Sequence, residues 1–92
     1  MNDPDVERQL RSIAANVRRR RAELGLTQEQ LGEAAGISYR YLQDVERGRK
    51  NITVDILVRL ARALRSRPFQ LMTAASLEAA RVGRPRRRPS GS

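Results

Sequence analysis

The feature that constrains this chain most is the punctuation between Thr27 and Gly48. Two helix-forming stretches, 27–35 and 38–47, are separated by a three-residue turn containing Gly36. A joint this short forces two helices to cross steeply. Thr27 opens the first stretch with Gln30 three residues on, the pattern of a capping box. Ser38 opens the second, which runs through Tyr41, Leu42 and Val45 to Gly48. Gly32 stands midway along the first, where helix propensity favours a larger residue. A small residue there lets the second helix pack close. Leu31, Ala35, Ile37, Leu42 and Val45 then make a shared inner face, with Leu31, Ala34 and Ala35 as the apolar side of the first helix.

The flanking sequence is helical as well. Asp3 is a good N-cap and Pro4 suits the first helical position. Val6, Leu10, Ile13, Val17 and Leu24 then recur at helical spacing until Gly25. A fourth helix opens at Thr53, with Asp55 complementing the dipole of its first turn, and carries Ile56, Leu57, Leu60, Ala61 and Leu64. Pro68 starts a fifth, with Phe69, Leu71, Met72 and Ala75 on its apolar side. No segment alternates as a strand would, and no internal repeat is visible. The expectation is an all-α, compact five-helix bundle. At 92 residues it is one domain, 1–80, followed by a basic disordered tail, 81–92, with five Arg and no acid.

Charge and missing residue types narrow the function. The net charge is +9, so a polyanion is the natural partner. Without the tail, 14 basic residues face 10 acidic ones, so a binding face must concentrate its charge. Lys50 is the single Lys beside 18 Arg, and Arg suits bidentate contacts to phosphate and guanine. Cys and His are absent, which removes thiolate and imidazole chemistry and the usual zinc ligands. With no paired carboxylates in a recognisable site, neither catalysis nor a metal or other cofactor is expected, and no small-molecule ligand. Asp3, Asp5 and Glu7 stand where a leader would be basic, and no apolar run spans a membrane. A cytoplasmic location and no membrane partner are expected.

The stretch from Leu24-Gly25-Leu26-Thr27-Gln28 through Gly36-Ile37-Ser38 to Val45-Glu46-Arg47-Gly48, continuing into Leu60-Ala61-Arg62-Ala63-Leu64, resembles the Cro/repressor-type (Xre-type) helix-turn-helix family. The resemblance covers most of residues 10–72. Glu46-Arg47-Gly48-Arg49-Lys50-Asn51-Ile52-Thr53 is also similar to a segment of restriction–modification controller proteins. The resemblance implies the phage-repressor-like DNA-binding fold and a transcriptional regulator, repressor or activator, that binds double-stranded DNA as a homodimer on a palindromic operator. It also implies an ion pair between Arg21, which falls on the buried stripe of helix one, and Glu46. The chain departs from the family at the junction of helices four and five. Arg65 stands where Gly is usual, Ser66 where an apolar residue is, and Arg67 in place of a cap.

With Ile37, Leu42 and Val45 turned inward, helix 38–47 offers its other face to the major groove. Arg40 suits guanine O6 and N7, Gln43 adenine, Asp44 cytosine N4, and Tyr39 a thymine methyl or a phosphate. Ser38 is placed near DNA as well as being a cap, and Tyr41 reads as packing. Gln28, at the start of helix two, and Arg47, Arg49, Lys50 and Asn51, after helix three, suit phosphates. Arg40 and Asp44 are also spaced as a surface ion pair. Arg18-Arg19-Arg20-Arg21 looks like a nucleic-acid patch, but consecutive helical residues splay, so at most two face DNA together. Gly83-Arg84-Pro85 in the tail is similar to an AT-hook core, against the plainer reading of a nonspecific basic tail. Two other functions fit the same residues: a DNA-binding antitoxin of a toxin–antitoxin pair, and a protein- or RNA-binding interaction module.

Overall fold

The computed structural model describes residues 3–74, which form five helices and no strand. They are α1 (Pro4–Glu23), α2 (Gln28–Ala35), α3 (Tyr39–Glu46), α4 (Val54–Ala63) and α5 (Pro68–Met72). The sequence places four of the five starts through side-chain caps. Asp3 accepts from the Asp5 N–H at 2.8 Å, Ser38 from Tyr41 at 3.0 Å, and Thr53 from Ile56 at 3.2 Å. Thr27 and Gln30 close a reciprocal box at 2.9 and 3.0 Å. Each such cap stabilises its helix by about 1 kcal/mol.

One apolar cluster holds the helices together: Ile13 and Val17 from α1, Leu31 and Ala35 from α2, Leu42 and Val45 from α3, Leu57, Leu60, Ala61 and Leu64 from α4 and its end, and Leu71 from α5. A fully buried Leu or Val is worth roughly 2 kcal/mol, so this cluster dominates the favourable side of folding. Ile37, Tyr41, Leu24 and Ile56 pack against its rim. The outline departs from the sequence expectation at four apolar positions. Val6, Ala34, Phe69 and Met72 are exposed, and five-residue α5 buries only Leu71. Ala75 and the tail lie outside the described residues.

The α2–α3 joint is as tight as Gly32 suggests. A Cβ on Gly32 would stand 3.0 Å from the Ile37 carbonyl oxygen, a backbone atom that would have to shift to admit it. The Ile37 N–H donates to the Gly32 carbonyl at 2.9 Å, closing the turn around Gly36. Gly25, Gly36 and Gly48 all take φ of +71° or +72°, the left-handed region where an L side chain is disfavoured. The fourth such position is Arg65, with φ +55°.

α5 is five residues long and cannot stand by itself. Asn16, almost fully buried on α1, donates its amide to the carbonyls of Leu71 at 2.8 Å and Thr73 at 2.7 Å. Gln9 donates to the Met72 carbonyl at 2.6 Å. Two α1 amides thus satisfy the carbonyls that a helix end leaves unpaired. At the other end Arg67 supplies no side-chain cap, and the Gln70 side chain accepts from its N–H at 2.8 Å. Helix five therefore starts at Pro68 as its sequence suggests, despite the unusual junction.

Candidate nucleic-acid interface

α3 is the second helix of the pair joined at Gly36, and its sides differ sharply. Leu42, Val45 and Glu46 are buried. Tyr39, Arg40 and Arg47 are exposed, and Gln43 and Asp44 lie half-buried between the two sides. Arg40 and Asp44 do not pair. Among the described residues Arg40, Arg47, Arg49 and Lys50 make no salt bridge. An outward guanidinium without an internal partner keeps all its donors for a ligand. Ser38 is exposed, and its hydroxyl oxygen serves as the cap acceptor for Tyr41.

The chain leaves α3 through Gly48, and the Arg49 N–H returns to the Asp44 carbonyl at 3.0 Å. This turn fixes Arg49, Lys50 and Asn51 as an exposed run beside the end of the helix. The Lys50 ammonium lies 5.3 Å from the centre of the Tyr41 ring, within cation–π range. Tyr41 itself packs on the core rim, as the sequence indicates.

Behind this surface sits a buried polar cluster. The Glu46 carboxylate receives Arg21 Nε at 2.7 Å on one oxygen and Arg21 Nη2 at 3.1 Å on the other. Gln28 donates its amide to the second oxygen at 3.0 Å. Arg21 also donates to the Leu26 carbonyl at 2.9 Å. The Gln28 side chain is thus turned inward at the start of α2, where the sequence suggests a phosphate contact. Its backbone N–H remains at the helix N-terminus, whose first-turn donors have no acceptor within the helix.

The four-arginine run departs from the look of a nucleic-acid patch, because three of its members bond other elements of the fold and the fourth pairs on its own helix. Arg18 donates to the Glu46 carbonyl at the end of α3. Arg19 bonds the Glu23 carboxylate at 3.0 Å. Arg20 donates to the Leu64 carbonyl at 2.9 Å, beyond the end of α4, and to Glu23 at 3.2 Å. Arg20 and Arg19 together hold the Glu23 carboxyl below the usual carboxylate range. The run is a set of staples from α1 to the ends of α3 and α4. Asn16 also escapes sequence reasoning. Its signal is of the kind that marks Arg21, a polar residue three after Ile13 on an otherwise apolar stripe.

A helical core that presents the exposed face of the second of two helices joined by a tight glycine turn defines a helix-turn-helix protein. The family model described as helix-turn-helix matches residues 17–71. The chain belongs to this family, the Xre-type class of DNA-binding transcriptional regulators. An HTH-type transcriptional regulator, y4dJ, of Sinorhizobium fredii is 44% identical over 61 residues, 66% of this chain and 79% of that protein. Control protein C.SmaI of Serratia marcescens is 39% identical over 66 residues, 72% and 79% of the two chains. Among solved structures, the restriction-modification controller protein C.AhdI of Aeromonas hydrophila superposes with a TM-score of 0.65 at 34% identity, covering 67% of this chain and 94% of that one.

Proposed function

We propose that this regulator binds a short, partly palindromic operator as a homodimer, with α3 in the major groove of each half-site. The observation that carries the reading is the face of α3 itself: Tyr39, Arg40, Gln43, Asp44 and Arg47 share one side of a helix whose other side is buried in the core. Arg40 reads guanine, Gln43 adenine and Asp44 cytosine, with Tyr39 and Ser38 beside them. Arg47, Arg49, Lys50 and Asn51 hold phosphates on one flank, and the start of α2 at Gln28 holds one on the other. The Arg21–Glu46–Gln28 cluster keeps α1, α2 and α3 in one relative position behind this surface.

A second copy doubles the reading surface. Phe69 and Met72, three residues apart on α5, are 64% and 41% exposed and offer adjacent apolar side chains to a second copy. Burying them against a second copy would make a dimer, and reading two half-sites requires its two copies of α3 to stand about 34 Å apart, one turn of DNA. Selection of binding sites from random duplex DNA tests the proposal. The expected product is an inverted repeat with half-site centres about 10 base pairs apart. Enrichment of an unpaired single site, or of no sequence at all, refutes it.

A further inference from the structure

One corner of the molecule breaks the local rules that the rest of the chain keeps. Three of the four left-handed backbone positions are Gly, and the fourth is Arg65 at φ +55°. Four of the five helices have an Asp, Ser or Thr cap whose side chain accepts a backbone N–H, and the fifth begins at Arg67 with no side-chain cap. Both exceptions flank the same turn, and both are Arg. Arg62, on the last turn of α4, stands three residues before Arg65, whose N–H donates to the Arg62 carbonyl at 3.2 Å. All three are exposed, and none makes a salt bridge among the described residues. Strain and a missing cap are tolerated where the side chain is worth keeping for another reason.

This corner is not part of the α3 surface. Arg18 and Arg21 leave α1 towards Glu46 of α3, while Arg20 leaves it towards Leu64 and the α4–α5 turn. At 3.6 residues per turn, Arg20 points about 130° round the helix from the mean direction of the other two. The turn also borders a cleft of about 350 Å³ whose lining includes Arg65 and, on α1, Arg19 and Arg20 together with the Glu23 carboxylate that both of them bond, so the unpaired positive charge of this corner is that of Arg62, Arg65 and Arg67.

We propose that Arg62, Arg65 and Arg67 form a second, sequence-independent phosphate-binding surface that takes the backbone of a second DNA duplex while α3 holds the first. The assignment rests on the DNA reading of α3. Unpaired guanidiniums on a turn suit phosphodiester oxygens, and such contacts position without reading sequence. A chain with two such surfaces bridges DNA segments.

The test uses the full-length chain and a variant combining Arg62→Gln, Arg65→Gly and Arg67→Ser. Two of these changes supply the residue that the local backbone favours, so folding is not at risk. A random-sequence duplex is immobilised and loaded with protein, and capture of a second, fluorescent duplex is measured across salt concentrations. The unaltered chain is expected to capture it. The triple variant should capture on the order of tenfold less and show a flatter salt slope, by up to about 0.9 for each phosphate no longer neutralised, with loading on the first duplex within twofold. Capture undiminished in the variant, or a fall in capture matched by an equal fall in loading, overturns the second surface. A companion variant, Arg40→Ala with Arg47→Ala and Arg49→Ala, should keep only the loading that Arg62, Arg65 and Arg67 supply and should capture no second duplex. Full loading there overturns the assignment through α3, which keeps the two failures separate.

Discussion

Arg21 and Glu46 meet through two hydrogen bonds, 2.7 and 3.1 Å long, across 25 residues of sequence, and they fasten α1 to the last turn of α3. The Glu46 side chain is 3% exposed and the Arg21 side chain 21%. With Gln28 on the same carboxylate, the three form one unit that spans α1, α2 and α3.

Glu46→Ala leaves Arg21 with one backbone acceptor and a half-enclosed charge. The expected loss of stability is about 3 kcal/mol, the low end for a buried pair because Arg21 keeps some water. Thermal and urea melts measure it. A midpoint unchanged within error would show that the pair contributes nothing.

Asn16→Ala removes both amide bonds that close the end of α5 and leaves the Leu71 and Thr73 carbonyls without that donor. Global stability should fall by about 2 kcal/mol. Hydrogen exchange should accelerate first in α5, since α5 depends on α1 for its carbonyl partners. Exchange that rises equally in all five helices would contradict this local role.

Arg65→Gly relieves a left-handed backbone that an L side chain adopts at a penalty of about 1 kcal/mol. Gly gives back part of this as extra freedom in the unfolded chain, so a net gain of about 0.5 kcal/mol is expected. The Arg20 bond to the Arg65 carbonyl involves only the backbone of Arg65 and survives. A lower melting midpoint than the unaltered chain is the result that defeats this account.

Arg40→Ala should weaken operator binding by about 1–3 kcal/mol and relax preference at one base pair per half-site, with little change elsewhere. Affinities for the operator and its single-base variants decide it. A uniform loss across all variants would make Arg40 a phosphate contact.

Deleting residues 81–92 removes five Arg and no acid. Affinity for operator and for random DNA should fall by similar factors, and the slope of log affinity against log salt should flatten by about 0.9 for each phosphate that the tail neutralises. Weakening confined to sites with A·T flanks would favour the AT-hook-like reading of Gly83-Arg84-Pro85.

The sequence by itself determined where the helices begin and which pair forms the turn. Caps, glycines and apolar spacing act over three or four residues, and such short-range physics can be read along a chain. Thr27 with Gln30, Ser38, Thr53 and the 3.6-residue stripe of α1 all express it. The outward face of α3 follows from the same periodicity once its inner face is assigned. Only the tertiary structure decided which charges are used inside. Arg21 is marked in sequence by its place on the buried stripe. Arg18, Arg19 and Arg20 look alike, yet one caps α3, one reaches the turn after α4 and one stays on its own helix. The roles of Arg18 and Arg20 depend on helix ends brought in from 28 and 44 residues away. The same holds for Gln28, drawn inward by Glu46, and for Phe69 and Met72, left exposed on α5. A long polar side chain takes whatever acceptor the packed helices place within reach, and that choice is made only after the core has formed.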